Sequence, residues 1–456
     1  MRPIIVSCGR QTVKRFLYLL WVPVLVWSTP LTKLHLEDAL VLLQKHNPEL
    51  VVSDLEAQLR ALDVSLVEAS AWGSVDLVQT AARSNDALNV FGFKLQSREA
   101  TFRDFGLIDY KDLGDIDVKP SDLNYPKARN HFGAAVELRV PLYTGGRREA
   151  AHHIAQTFHA LSHLDTQSLL AEKILELKRS FYALSLLHDQ ESTLQELLKN
   201  TRVLERTATA MHEEGYATAT DVLEVKARLA GVSRMLQDTQ ANSKLLLHVL
   251  SFLLNHEVAS IAPTLPALQA PSTPPEKALD VQKATLGAQI AHLDIKRNKA
   301  AFMPTVGLLG QYAWSGKEAL ELSSKNDAYT IGVEFRWNLF QGGGHSIALE
   351  KARLAHLKSQ HQLSLAKQGT ALAFAKLHTQ LAQHDHQLQS LEAERALFER
   401  IYDHHMGRYQ ENLASMSDVL AKHAELLGKI LEYNVAKNNR VETLLLLEKL
   451  SHGVQP

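Results

Sequence analysis

The sequence predicts a mainly helical chain with a small β part: a long coiled-coil barrel of helices that carries four strands per chain and arose by tandem duplication. Three observations lead there. The segment Val136-Glu137-Leu138-Arg139-Val140-Pro141-Leu142-Tyr143-Thr144-Gly145-Gly146 returns as Val333-Glu334-Phe335-Arg336-Trp337-Asn338-Leu339-Phe340-Gln341-Gly342-Gly343, an offset of 197 residues. Gly215 to Leu223 returns as Asn412 to Leu420 at the same offset, and two distant motifs sharing one shift mark a repeated structural unit. Between Gly146 and Glu214 there is no proline or glycine, while Leu170, Ile174, Leu177, Phe181 and Leu184 fall at alternating spacings of four and three, a coiled-coil seam. Finally, the residues ahead of each Gly-Gly pair alternate apolar with charged or polar, as a strand between two different media does.

The elements follow in order. Arg2, Arg10, Lys14 and Arg15 precede an apolar run from Phe16 to Trp27, and Val26 and Ser28 stand where a cleavage site requires small residues, so 1–28 reads as a secretory signal peptide. The lone cysteine, Cys8, lies ahead of that run, which leaves no disulfide and no cysteine-ligated metal. The first repeat spans 29–255. Asn47 as cap and Pro48 at the first helical position start a helix to about Ala71. A strand pair follows, Ser74 to Gln79 with Gly133 to Leu142, then the long helix, at ~1.5 Å per residue on the order of 100 Å. A return helix runs from about Asp221 to Asn255.

Residues 256–275 hold Pro263, Pro266, Pro271, Pro274 and Pro275 and form a linker, expected to wrap the middle of the bundle. The second repeat, 276–450, copies the first: a helix to Phe302, strands Thr305 to Trp314 and Tyr329 to Phe340, a long helix from His345 to about Tyr409, and a return helix from Asp418, before a tail at 451–456. Leu55, Ala57, Gln58, Leu62 and Asp63 match Leu286, Ala288, Gln289, Leu293 and Asp294 at an offset of 231, so the first copy holds 34 surplus residues. They fall in its hairpin, about 80–130, which would plug a mouth, fold as a lid or remain a long loop; the residues do not choose.

The strand faces carry the functional argument. Val136 and Leu138 oppose Glu137 and Arg139; Phe335 and Trp337 oppose Glu334 and Arg336. Ionised groups on one face and large apolar groups on the other suit a membrane barrel with a wet lumen. A half-solvated sheet would read alike in isolation, but these strands sit at the ends of ~100 Å helices, out of reach of a soluble core. Four strands do not close a barrel; three chains would supply twelve and leave room for a channel.

With these elements in place, the chain resembles the TolC family of outer-membrane efflux proteins. The resemblance rests on Leu36-Glu37-Asp38-Ala39-Leu40, Asn47-Pro48-Glu49-Leu50, the strand end Pro141 to Arg147 and Gly215 followed by Asp221-Val222-Leu223. It implies a homotrimer in the outer-membrane lipid of a Gram-negative cell, with a twelve-stranded barrel continued by a helical tunnel through the periplasm. It also implies a periplasmic adaptor and an inner-membrane pump or ABC transporter as partners, in tripartite efflux or type I secretion. Some relatives close their tunnel with an arginine and a further acid at positions that read Ala414 and Ala421 here. The competing reading from another class is a periplasmic coiled-coil adaptor, which would carry one helical hairpin rather than two in tandem.

Candidate site residues fall in three places. Gly145, Gly146, Gly342 and Gly343 mark the strand-to-helix junctions, where positive φ or close approach is needed. At the far ends, Thr218-x-x-Asp221 and Ser415-x-x-Asp418 have the form of capping boxes. The alternative for Asp221 and Asp418, with Glu213, Glu214 and Glu411, is an acidic ring at a pore constriction. His159 and His163 have the spacing of helical zinc ligands, but Ala160 stands where a zinc peptidase places its glutamate. No catalytic constellation, cofactor motif or metal set stands out, and a net charge of −1 argues against nucleic acid.

Overall fold

The structure, a computed structural model, describes residues 31–109, 117–264, 268–271, 278–319, 324–411 and 413–451. The expected signal peptide, Cys8, parts of the surplus segment and the linker, Asn412 and almost all of the tail lie outside the described residues.

Nine helices and four strands make up the described chain: α1 (Leu36–His46), α2 (Pro48–Ala69), β1 (Ser74–Ser84), α3 (Ala87–Gln96), α4 (Ser121–Asn124), β2 (Arg129–Tyr143), α5 (Arg147–Glu213), α6 (Ala219–Leu254), α7 (Leu279–Lys299), β3 (Thr305–Gly316), β4 (Asp327–Arg336), α8 (Gly344–Gln410) and α9 (Met416–Ser451). The two long helices have 67 residues each, on the order of 100 Å. α2 and α6 lie along α5, and α7 and α9 along α8, while α5 also touches α7 and α9 and so joins the repeats.

Asn47 shows how tightly the chain turns between α1 and α2. Its Oδ1 accepts from the amides of Glu49 at 3.0 Å and Leu50 at 3.1 Å, and its Nδ2 donates to the Leu253 carbonyl at 2.9 Å. Ala39 and Leu43 of α1, one helical turn apart, are buried against Leu177, Leu184, Leu250 and Leu253 of α5 and α6. The linker crosses this waist: Leu31 and Leu34 bridge Val258 and Ile261, the Thr264 amide donates to Ser185 Oγ, and His378 of α8 bonds the Pro271 carbonyl.

The strands form one antiparallel sheet in the order β1-β2-β3-β4. The first hairpin is longer than expected, reaching Ser84 and Arg129, and the described residues between them include α3 and α4. The last strand is shorter than expected. β4 stops at Arg336, whose partner Thr305 is the first residue of β3; Pro304 before it has no N–H to extend the ladder. Trp337 therefore stands just past the strand, and its indole Nε1 donates to the Phe302 carbonyl at 3.1 Å. No helix among the described residues is long and apolar enough to cross a membrane.

Candidate functional site

The sequence-predicted site residues fall in three parts of the structure: the sheet, the strand-to-helix junctions and the helix tips. Directly paired residues share a sheet face, so the register assigns every side chain. Val75, Leu77, Val136, Leu138, Leu308, Tyr312, Ile331, Val333 and Phe335 fall on one face, and Asp76, Glu137, Arg139, Gln311, Glu334 and Arg336 on the other. On the polar face Arg139 pairs with Glu137 at 2.8 Å and Arg336 with Glu334 at 2.7 Å. The apolar face is uncovered, with Leu77 77% and Ile331 73% exposed, far beyond the isolated apolar residues a solvated surface carries.

The chain passes from β2 into α5, and from the segment after β4 into α8, through a Gly-Gly pair. Gly146 and Gly343 are the N-caps of α5 and α8 with φ of 85° and 81°, and Gly145 and Gly342 are also left-handed. A Cβ on Gly145 would lie 2.8 Å from the Ala300 carbonyl oxygen and 2.7 Å from Met303 Cβ, so this turn also needs an empty side for β3's lead-in. At Gly342 nothing stands within 4 Å of such a Cβ.

At the tips, α5 ends on Glu213 and α8 on Gln410, and both return through capping boxes. Asp221 Oδ2 accepts from the Thr218 amide at 2.8 Å and its hydroxyl at 2.7 Å, while the Asp221 amide donates to Thr218 Oγ1 at 3.2 Å. Asp418 repeats this with Ser415 at 3.2, 2.7 and 3.1 Å. The Ser415 hydroxyl and amide, aided by His405 and Arg408, hold the Asp418 carboxyl below the usual carboxylate range. Glu213, Glu214, Glu411 and Asp418 are exposed, and Asp221 is half-buried.

The two tips are one body. Leu204, Ala208, Val222 and Val225 pack with Tyr402, Tyr409, Met416 and Val419. Ser417 Oγ donates to Glu224 at 2.8 Å, and Arg228 Nη2 to the Leu420 carbonyl at 3.1 Å. Sequence reasoning missed this core's polar members, His423 and Arg228, because a histidine in a helix gives no sign of burial until the opposing helix is known. His159 and His163 bring their Nε2 atoms to 3.1 Å, but among the described residues no group of three candidate ligands gathers.

Comparison with known proteins agrees with this architecture. Residues 40–255 and 274–451 match the family described as outer membrane efflux protein, one region for each repeat. Among solved structures, the outer membrane protein VceC of Vibrio cholerae has a TM-score of 0.73 at 17% identity, over 91% of this chain and 95% of that one. The CmeC outer membrane channel of Campylobacter jejuni has a TM-score of 0.73 at 15% identity, over 92% and 85%. The MtrE outer membrane channel of Neisseria gonorrhoeae, in its open state, has 0.71 at 14%, over 91% and 88%. No curated protein sequence matches the chain. With both repeats matched along almost their whole length, the chain belongs to the outer membrane efflux protein family, a family of efflux channels.

Proposed function

We propose that three copies of this chain form a passive duct, a twelve-stranded barrel in the outer membrane continued by a helical tunnel. One observation carries the reading: the protomer is unfinished at both edges in the same sense. Among the described residues β1 and β4 are unpaired edges of the sheet, and an open edge beside an uncovered apolar face demands a partner. The helices repeat the pattern. α2 presents Val52, Leu55, Leu59, Leu62 and Leu66 at spacings of three and four, and α8 presents Ile347, Leu354, Leu365 and Leu372, all exposed. Joining β4 and α8 of one copy to β1 and α2 of the next buries both seams, and such a head-to-tail contact closes as a ring.

In that ring the Val136, Leu138, Phe335 face meets lipid, with Trp337 just below it, and the Glu137, Arg139, Glu334, Arg336 face lines the lumen. The Gly145-Gly146 and Gly342-Gly343 turns mark the membrane boundary. The tips bring six helix reversals to one axis, so Asp221, Asp418, Glu214 and Glu411 concentrate negative potential at the narrowest point. The same tips are the surface offered to a periplasmic adaptor and an inner-membrane pump or ABC transporter, which supply the energy and choose the cargo. The experiment is extraction of outer membranes in mild detergent followed by sizing. A trimer is expected; a stable monomer recovered without detergent would refute the duct.

A further inference from the structure

Two histidines that neither the sheet nor the tips employ stand together near the start of α5. His159 and His163 are one turn apart on the helix, and their Nε2 atoms lie 3.1 Å from each other, with ring centroids 4.6 Å apart and planes at 58°. The helix is held on both sides of them. His152 Nε2 meets Glu68 Oε1 of α2 at 2.9 Å, and Thr166 Oγ1 lies 2.8 Å from Ser53 Oγ of the same helix. Asp165, the nearest acid in sequence, is paired with Lys283 of α7 at 2.8 Å. His159 is half-buried and His163 exposed, so water reaches the pair.

With both rings neutral, one Nε2–H donates to the other Nε2 and the contact is a hydrogen bond. A tautomer shift of the donor ring, which moves its proton to Nδ1, leaves two nitrogen lone pairs free instead. A transition metal sits about 2.0–2.1 Å from each imidazole nitrogen it binds, and two such bonds to atoms 3.1 Å apart meet at an angle of about 95–102°. That lies between the ~90° of a tetragonal centre and the ~109° of a tetrahedral one. The rings already stand at chelating distance on a braced helix, so little side-chain entropy is left to lose on binding.

The internal duplication supplies a contrast. At the 197-residue offset His159 becomes His356 and His163 becomes Gln360, whose Nε2 lies 3.1 Å from His356 Nε2. The second repeat keeps the contact and the distance but presents an amide nitrogen, which has no lone pair to give a metal.

We propose that His159 and His163 form a chelating site for a borderline divalent transition cation of the Zn2+, Ni2+ and Cu2+ class. Imidazole suits these ions, whereas Mg2+ and Ca2+ take oxygen ligands. Two protein ligands leave the other coordination positions to water, so the site is an exchangeable one rather than a closed structural centre. Ala160 stands where a zinc peptidase has its glutamate, so the site binds the ion without a base for hydrolysis. It is complete within one copy and does not rest on the trimeric duct.

Histidine modification read residue by residue tests this. The detergent-purified protein, stripped of metal with a chelator, is treated with diethyl pyrocarbonate with and without micromolar Zn2+, and each histidine is followed by peptide mass spectrometry. Zn2+ is expected to slow modification of His159 and His163 together, and Mg2+ to leave both rates unchanged. In His163→Gln, which copies the second repeat, the Zn2+ concentration that shields His159 is expected to rise about tenfold or more, because the second nitrogen no longer binds at high effective concentration. Should that variant fail to fold, His159→Gln read at His163 makes the same comparison. Modification of His159 at one rate with and without Zn2+, a pair unreactive even without metal, equal shielding by Mg2+, or shielding that needs no more Zn2+ in the variant would each overturn the site.

Discussion

His423 of α9 packs its ring 5.3 Å from that of Tyr402 on α8, buried in the tip core, and among the described residues neither of its ring nitrogens has a hydrogen-bond partner. Burial, and then the nearby Arg228 guanidinium, push its pKa down to about 4, so the folded tip holds it neutral. An unfolded tip would hold it near 6.5. Between those values the open state binds the extra proton. Its contribution is thus complete above about pH 6.5 and is lost as pH falls toward 4, on the order of 3 kcal/mol in all. Limited proteolysis of the purified protein should show tip cleavage rising steeply across that window. His423→Phe should flatten the dependence; an unchanged pH profile in that variant would remove the histidine from the account.

Phe335 pairs with Val306 on the apolar face, whereas Arg336 pairs with Thr305 on the polar one. Phe335→Arg should impair assembly, at a cost of about 2–4 kcal/mol if the position lies near the bilayer midplane. Arg336→Ala should assemble as the parent does. Native gels of outer-membrane extracts read both, and the reverse result would mean that the faces are exchanged.

Gly145 and Gly342 occupy equivalent places in the two repeats, but only Gly145 has a neighbour against its empty side. Gly342→Ala should cost about 1 kcal/mol for the left-handed backbone alone. Gly145→Ala adds a contact of 2.8 Å to the Ala300 carbonyl oxygen and should lower the melting temperature of the assembly clearly more. Equal melting temperatures would show that the junction relaxes freely.

At the tips, Asp221→Asn combined with Asp418→Asn leaves an oxygen to accept from Thr218 and Ser415 while removing the charge. The assembled double variant should lose cation preference in planar bilayers, read as a shift in reversal potential toward zero. Unchanged selectivity would leave both aspartates as helix caps alone.

Much of this molecule was legible in one dimension because its determinants are local or periodic. The unbroken run from Arg147 to Glu213 and the Asn47-Pro48 start declare helices without reference to anything distant. Period-two alternation around Glu137 and Glu334 assigns sheet faces, and the 197-residue offset announces the duplication. Tertiary structure decided what depends on a partner far along the chain. β4 ends at Arg336 rather than Phe340 because Pro304, some thirty residues earlier, has no N–H to offer its neighbour. His423 is buried beside Tyr402 of α8 and near Arg228 of α6, and no pattern within α9 says so. Above all, nothing in the sequence of residues 80–130 brings α3 to the sheet, where Phe93 stacks on His131 of β2. A helix's own periodicity states that it has two faces; only the surface it lands on decides which of them remains bare.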